Sequence, residues 1–113
     1  KRVVLSSGES VQVVSGLVQN NSDRTIGDAT IEGLVFDDNG NLVTKTRSSI
    51  ASGLEDARLR SLSSETIRRL QSAAAPSRFT LAPNSEQPYV IVLFGSDLDK
   101  AKYYSARIYS VRY

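Results

Sequence analysis

The sequence predicts a mainly β fold, an antiparallel β-sandwich with one short inserted α-helix. Short apolar runs rich in Val, Ile and Tyr are separated by turn residues, and a single segment has helical periodicity. Five or six strands spaced in this way are typical of an immunoglobulin-like sandwich. The 113 residues are 40% apolar and 23% charged, so we expect residues 1–113 to form one immunoglobulin-like domain.

The first strands are predicted from Val-rich and alternating segments. Residues 1–10 are expected to be a linker or a first strand, and residues 11–20 a strand. In the strand that follows, Glu32 is costly to bury, which indicates that its own side of the strand faces outward. The opposite, inward face then holds Ala29, Ile31, Gly33 and Val35. A glycine inside a strand, as at Gly33, indicates a bulge or a close approach by a neighbouring strand.

The segment from Asp37 to Gly40 predicts a hairpin turn that leads into a strand over residues 41–47. Asn39 followed by Gly40 is typical of a type I′ turn, in which both central residues have positive φ. Asp37 is expected to accept hydrogen bonds from the amides of the turn. Calcium binding is not expected, because an EF-hand loop needs Gly and Glu where this chain has Leu42 and Ser48.

Residues 48–78 are predicted to be an insertion that contains a loop and a helix. Residues 48–62 have no strand period, whereas residues 63–75 have the spacing of a short amphipathic helix. Ser63 is predicted to cap the helix N-terminus, with Glu65 in the first turn beside the positive end of the helix dipole. Pro76 is expected to end the helix.

The remaining segments are predicted to return to β structure. A turn is expected at Pro83 and Asn84, followed by a central apolar strand over residues 88–95. Residues 103–113 alternate between two faces. The apolar face is predicted to hold Tyr104, Ala106 and Ile108, and the opposite face Tyr103, Arg107, Tyr109 and Tyr113.

The composition excludes several kinds of active site. The chain contains neither Cys nor His, which removes the usual zinc and copper ligands and the nucleophile–histidine pairs of hydrolases. Paired carboxylates fall in predicted loops, without the cleft that acid–base catalysis requires. These pairs are Asp37 with Asp38, Glu55 with Asp56, and Asp97 with Asp99. We therefore predict no enzyme activity, no catalytic residue, no metal and no cofactor.

Two groups of side chains are candidates for binding a partner. The first is a basic group that suits an acidic protein, a glycan or an anionic lipid headgroup: Arg58, Arg60, Arg68, Arg69 and Arg78. The second is a tyrosine stripe on the last strand, Tyr103, Arg107, Tyr109 and Tyr113, since Tyr and Arg are enriched at binding hot spots. The alternatives are a solvated basic surface and tyrosines packed beneath other segments. Nucleic acid is not expected as a partner, because the sequence has no groove-reading motif.

The triplet Asn20, Asn21 and Ser22 has the pattern of a glycosylation acceptor. It also lies at the predicted end of a strand, directly before a run of turn residues. We expect these three residues to serve the geometry of the turn.

The order of short motifs resembles that of a known group of domains. The motifs are "GLVQN" (16–20), "LVFD" (34–37), "NGNLV" (39–43), "LSSETI" (62–67), "LAPNS" (81–85), "PYVIVLF" (88–94) and "YYSARIYSV" (103–111). In this order they resemble the small immunoglobulin-like FxLYD domains. They are most similar to bacterial domains of unknown function that follow a zinc ribbon and a transmembrane helix.

The resemblance implies a place and a role for the domain. It implies an extracytoplasmic, periplasmic location, tethered by a transmembrane helix upstream of Lys1, and no known catalytic residue. The sequence thus predicts a non-catalytic domain that mediates protein–protein interaction with other proteins of a bacterial cell envelope. The alternative is a domain that senses a ligand or a lipid headgroup for a membrane-anchored regulatory protein.

Overall fold

Two three-stranded antiparallel sheets form the described part of the molecule. The computed structural model describes residues 1–73, 75, 79–95, 98 and 100–113. The strands are β1 (Arg2–Val4), β2 (Ser10–Gln19), β3 (Asp28–Phe36), β4 (Leu42–Ser49), β5 (Glu86–Leu93) and β6 (Tyr103–Arg112). One sheet has the order β1-β2-β5 and the other the order β4-β3-β6. The predicted β-sandwich is confirmed, and residues 1–10 supply a first strand.

The order of the described strands matches that of the corresponding strands of an immunoglobulin-like sandwich. In that fold, strands A, B and E share one sheet, while the other sheet has the order G, F, C, C′. Here β1, β2 and β5 correspond to A, B and E, and β4, β3 and β6 correspond to C′, C and F. Strand G would lie beside β6, and none of the described strands pairs with β6 on that side.

Apolar clusters cover both faces of the first sheet. The cluster between the two sheets contains Val18, Ile26, Ala29, Ile31, Val35, Ile50, Leu81, Ile91, Leu93 and Leu98. The cluster on the other face contains Val3, Leu5, Val11, Val13, Val90 and Val92, with Leu54, Leu59 and Ile67 from the insertion. The insertion therefore forms a third layer over the β1-β2-β5 sheet.

The predicted inward face of β3 is confirmed. Ala29, Ile31 and Val35 are at most 2% exposed. A Cβ atom at Gly33 would lie 3.2 Å from Cγ2 of Ile91 on the facing strand, so the glycine allows this close approach between the sheets. Glu32 points to the outer face as predicted, but it is fully buried there. The assumption that its outward position leaves it in solvent is wrong.

The hairpin between β3 and β4 forms, but its turn is not type I′. Gly40 has φ of 80°, whereas Asn39 does not have positive φ. The amide of Gly40 donates to the carbonyl of Asp37 at 3.1 Å, which is a type I turn followed by a left-handed glycine. As predicted, Asp37 Oδ1 accepts hydrogen bonds from the amides of Asn39 and Asn41, both at 2.9 Å. These hydrogen bonds hold the loop between β3 and β4, which is wider than the predicted two-residue turn.

The described part of the insertion contains two helices, of which the sequence predicted one. The predicted helix over residues 63–75 is observed as α2 (Ser64–Ser72), and the amide of Thr66 donates to Ser63 Oγ at 3.1 Å as expected for the N-cap. The helix α1 (Asp56–Leu59) lies in the segment expected to be an irregular connection. Four residues are too few for periodicity to indicate a helix. Pro76 lies outside the described residues.

β5 lies at the edge of its sheet, so the prediction of a central strand over residues 88–95 is wrong. One side chain of α2 forms hydrogen bonds with the outer edge of β5. The amide of Val92 donates to Oε1 of Gln71 at 2.7 Å, and Nε2 of Gln71 donates to the carbonyl of Val92 at 3.1 Å. Gln71 is 5% exposed. Its side chain thus takes the place that a neighbouring strand would have at this residue, which protects the edge of the sheet.

Candidate interaction surface on the last strand

β6 is exposed along its length. Nine of its ten residues are exposed, and only Ala106 is half-buried. The large exposed side chains are between 39% and 56% accessible to solvent, and they are Tyr103, Tyr104, Ile108, Tyr109 and Val111. An exposed strand rich in aromatic and apolar side chains is typical of an interaction site.

A β-bulge at Tyr109 divides β6 into two parts. Ile31 pairs with Ile108 and Thr30 pairs with Ser110, so the pairing passes over Tyr109. The extra residue reverses the alternation of side chains beyond it. Tyr113 consequently lies on the inner side, against a cavity lined also by Val111. The prediction that Tyr113 belongs to the tyrosine stripe is therefore wrong. Tyr103, Arg107 and Tyr109 do share the outer face.

The outer face of the second sheet is organised around Glu32. This residue pairs in register with Arg47 on β4 and with Arg107 on β6. Arg47 Nε lies 3.1 Å from Oε2 of Glu32, and Arg107 Nη2 lies 2.6 Å from Oε1. The Glu32 side chain is 1% exposed, whereas those of Arg47 and Arg107 are 48% and 62% exposed. The two guanidinium groups cover the carboxylate and keep their outer sides in solvent.

The pKa of Glu32 is lowered from its ordinary value. The largest cause is the side-chain hydrogen bond from Arg107, and desolvation of the carboxylate acts in the opposite direction. The hydrogen bond from Arg47 and the positive charges of Arg107 and Lys45 also lower the pKa. Glu32 is therefore ionised at neutral pH, and the three side chains together carry one net positive charge.

Two further ring contacts extend this cluster towards α2. The guanidinium of Arg47 lies over the ring of Tyr109 at 3.5 Å from its centroid, and that of Arg68 over Phe94 at 4.3 Å. Arg47 and Arg68 line the same groove of about 290 Å³. We define the arginine–tyrosine surface as Glu32, Arg47, Arg68, Tyr103, Arg107 and Tyr109.

Arg47 was missed as a site residue in the sequence analysis, although a signal for it was present. Counting outward from the turn at Asn39 and Gly40 pairs Glu32 with Arg47, which is the observed register. A buried or half-buried carboxylate forms a stable cross-strand pair with an arginine directly opposite it on the neighbouring strand. Arg47 connects two features that had been treated as separate, the basic helix and the tyrosine stripe.

The predicted basic group does not form one patch. Arg58, on α1, and Arg60, at its C-terminal end, are exposed. Arg60 lines a different cavity, together with Lys1, Val3 and Ala57. Arg69 is exposed on α2, and Arg78 lies outside the described residues. Of the described members of this group, Arg68 is the one that belongs to the arginine–tyrosine surface.

The remaining acidic candidates lie partly outside the residues that the structure describes. Asp37 is engaged in the hairpin turn, while Asp97, Asp99 and the side chain of Asp56 lie outside the described part of the chain. In the part that the structure describes, His, Cys, Asp and Glu residues form no group of three or more that could hold a metal ion.

No described helix has both the length and the apolar character needed to cross a membrane.

The fold and this surface together define a small β-sandwich domain with an exposed, aromatic edge strand. Comparison with protein-family models, with curated proteins and with solved structures finds no match to this chain. The resemblance to FxLYD-like domains consequently stays a prediction.

The role of Glu32 is tested by the pH dependence of stability in a Glu32→Gln variant. A carboxylate whose pKa is lowered in the folded state stabilises the fold at pH values above its unfolded pKa, near 4.5. This contribution is lost as the pH falls through the lowered folded value. We therefore expect the variant to be less stable than wild type at pH 7, and the difference to close in acid.

The measurement for Glu32 is chemical denaturation at several pH values between 3 and 7. Glu86→Gln, which removes an exposed carboxylate from another strand, is the matched control. A Glu32→Gln difference that stays constant down to pH 3 would contradict the proposed ion pairs.

Proposed function

We propose that this chain is a non-catalytic β-sandwich domain that binds another protein through the arginine–tyrosine surface. The observation that carries the proposal is β6, a ten-residue edge strand with nine exposed residues. Tyr and Arg dominate hot spots because they combine a large apolar area with directed hydrogen bonding. Both residue types are concentrated here, on strands and, for Arg68, on the helix α2, rather than on loops.

The arrangement of the arginines supports binding. Arg107 donates to Glu32 through both Nε and Nη2, and Arg47 is held between Glu32 and the ring of Tyr109. Fixing a long side chain at an interface costs about 0.5–1.5 kcal/mol. Because these guanidinium groups are already positioned in the free domain, a partner would meet a smaller entropic cost on binding.

The proposed setting is the extracytoplasmic side of a bacterial cell envelope, with other envelope proteins as partners and a tether upstream of Lys1. This part of the proposal follows from the motif order of the FxLYD-like resemblance. With this setting, an interaction partner is expected in the envelope fraction of the cell, where it can be sought.

Sensing of an anionic ligand or a lipid headgroup has less support. The groove between β4 and α2 is lined by Arg47 and Arg68, two cations that suit such a ligand. However, Arg47 already pairs with Glu32, and Arg68 already stacks on Phe94. Protein binding explains the exposed tyrosines as well as the arginines, and we favour it for that reason.

The proposal is tested by site-specific photo-crosslinking in cells that produce the whole protein. A photoreactive phenylalanine derivative replaces Tyr103 or Tyr109, both of which are exposed and aromatic. The same derivative at Glu9 and at Arg58, exposed residues outside the arginine–tyrosine surface, provides the controls. We expect discrete adducts with another protein from the first pair of positions only, in the envelope fraction.

Adducts formed equally at Glu9 and Tyr109 would show that contact is not localised to β6. An absence of adducts at both Tyr103 and Tyr109 would contradict the proposed function. Adducts formed at Arg58 alone would move the binding site to α1.

A further inference from the structure

The residues of β5 direct their main-chain groups alternately towards β2 and away from it. The amide of Asn20 donates to the carbonyl of Ser85 at 3.0 Å, in the register that continues the pairing of β2 with β5. Because hydrogen-bonded pairs alternate along an antiparallel ladder, the odd-numbered residues of β5 bond to β2. The even-numbered residues turn their N–H and C=O groups outward, and the bond from Val92 to Gln71 agrees with this alternation.

Val90 is the outward-facing residue of β5 whose main-chain groups have no partner among the described residues. At Val92, the carboxamide of Gln71 bonds to both the N–H and the C=O group. Pro88 has no N–H, and its carbonyl accepts from Nε2 of Gln87 at 3.3 Å. No described residue accepts from the N–H of Val90 or donates to its carbonyl. Val90 is only 9% exposed, and buried main-chain groups are paired in roughly 90% of cases or more, so this pair of groups is unusual.

A cavity of about 210 Å³ lies at Val90, between the edge of β5 and the start of the insertion. Its apolar walls include Ile50, Leu54 and Pro88. The amide of Ile50 donates to the carbonyl of Ala29 at 2.9 Å, and the side chains of Ile50 and Leu54 belong to the two core clusters. These contacts hold the wall in place. None of the described residues that line the cavity belongs to the arginine–tyrosine surface.

The surroundings of Val90 suit a compact group and not an added strand. A strand that paired along this edge would bond in turn to the main chains of Pro88, Val90 and Val92. Pro88 has no N–H to donate, and Gln71 already occupies the main-chain groups of Val92. An occupant of the cavity therefore bonds to Val90 alone, and the rest of its surface meets the apolar walls.

The contact between Gln71 and Val92 shows which chemical group fits Val90. The carboxamide of Gln71 accepts from the N–H of Val92 and donates to its C=O. Val90 presents the same two groups in the same direction, because it lies two residues earlier in the strand. A carboxylate has no proton to donate, and an ammonium or guanidinium group has no acceptor. Of the described lining residues only Glu55 is charged, and its negative charge disfavours an anion.

We infer that this cavity binds a small neutral molecule that carries a primary carboxamide on an apolar body. The carbonyl oxygen of the ligand accepts from the N–H of Val90, and its amide nitrogen donates to the C=O of Val90. The apolar body lies against Ile50, Leu54 and Pro88. The cavity is separate from the arginine–tyrosine surface, so it gives the domain a second, small-molecule binding function.

The test is a titration of the ¹⁵N-labelled chain with benzamide, in which NMR follows the amide of Val90. Benzamide carries the required donor and acceptor on a compact apolar ring, and a molecule of this size binds with Kd on the order of 1 mM. We expect the Val90 amide proton to move downfield. Its hydrogen exchange should slow by about 10-fold when benzamide is present at ten times Kd. The amide of Val92, already bonded to Gln71, should change little.

Three ligands of similar shape provide the matched controls. Benzoate and N,N-dimethylbenzamide lack the donor, whereas benzamidine, which is protonated at neutral pH, lacks the acceptor. Each of them leaves one main-chain group of Val90 without a partner. We expect all three to bind at least ~5-fold more weakly than benzamide.

On the protein, Val90→Pro removes the N–H donor without removing a hydrogen bond to β2, as Pro88 already does two residues earlier. We expect this variant to bind benzamide at least ~5-fold more weakly, as followed at the amides of Leu54 and Glu55. Glu86→Pro, at an outward-facing residue that does not line the cavity, is the control and should retain binding. Circular dichroism establishes that both variants are folded, and the ligand series on the wild-type chain stands without them.

Three results would overturn the inference. A Val90 amide that exchanges as slowly as that of Val92 in the absence of ligand would show that its main chain is already bonded. Equal binding of benzamide and the three control ligands would exclude recognition of a carboxamide. Benzamide that leaves the amide of Val90 unchanged would exclude the site itself. None of these results bears on crosslinking at Tyr103 and Tyr109, which tests the proposed function separately.

Discussion

Replacement of Leu59 by Ala is expected to destabilise the domain by about 2–5 kcal/mol, the range found for Leu truncation in packed cores. Leu59 is fully buried and belongs to the cluster that contains Val11, Val92 and Ile67. It is the last residue of α1, the short helix that periodicity did not predict. A loss of this size would show that α1 is an integral part of the core.

The measurement is urea denaturation followed by far-ultraviolet circular dichroism, since the chain has no Trp. Leu17→Ala is the matched control, because the same group is removed from a side chain that is 63% exposed. A Leu59→Ala effect no larger than that of the control would mean that the insertion is not packed on the first sheet.

Replacement of Asn20 by Ala is expected to cost about 3 kcal/mol, because a buried hydrogen-bonding group leaves its partners unsatisfied. Nδ2 of Asn20 donates to the carbonyls of Arg24 and Leu81 at 2.8 and 2.9 Å. Its Oδ1 accepts hydrogen bonds from the amide and the hydroxyl of Ser22. One side chain thus joins the end of β2, the following turn and the segment before β5.

Asn21→Ala is the control for this prediction, since Asn21 is adjacent and exposed. Thermal or urea unfolding of the two variants measures the difference. If both variants unfold at the wild-type midpoint, the hydrogen-bonding role of Asn20 is contradicted. Because Nδ2 of Asn20 is buried and bonded in the folded domain, the Asn-Asn-Ser triplet serves the turn, as its sequence context indicated.

The sequence by itself determined most of the architecture. Alternation placed Ala29, Ile31 and Val35 in the core, and the cap at Ser63 located the start of α2. These features are local, since they depend on the spacing of neighbouring residues and on hydrogen bonds within one turn. Gly33 was recognised as unusual for the same reason, although its partner Ile91 was not identified.

The candidate site could be predicted only in part. Tyr103, Arg107 and Tyr109 were assigned to one outer face, which the register of β6 confirms. The position of Tyr113 depended on a single extra residue in the pairing with β3, and no pattern within β6 reveals a bulge. The division of the basic group likewise depends on where α1 and α2 pack, because exposed arginines have no periodicity that fixes their location.

Only the tertiary structure decided that Glu32 is buried and that β6 lies at the edge of its sheet. Glu32 is buried by arginines that are 15 and 75 residues away in the chain, and burial of an ion pair is set by the strands that flank it. Among the described strands, β6 pairs with β3 alone and so lies at the edge of its sheet. Local sequence fixes which residues form strands, whereas strand order and the groups left unpaired arise from long-range packing.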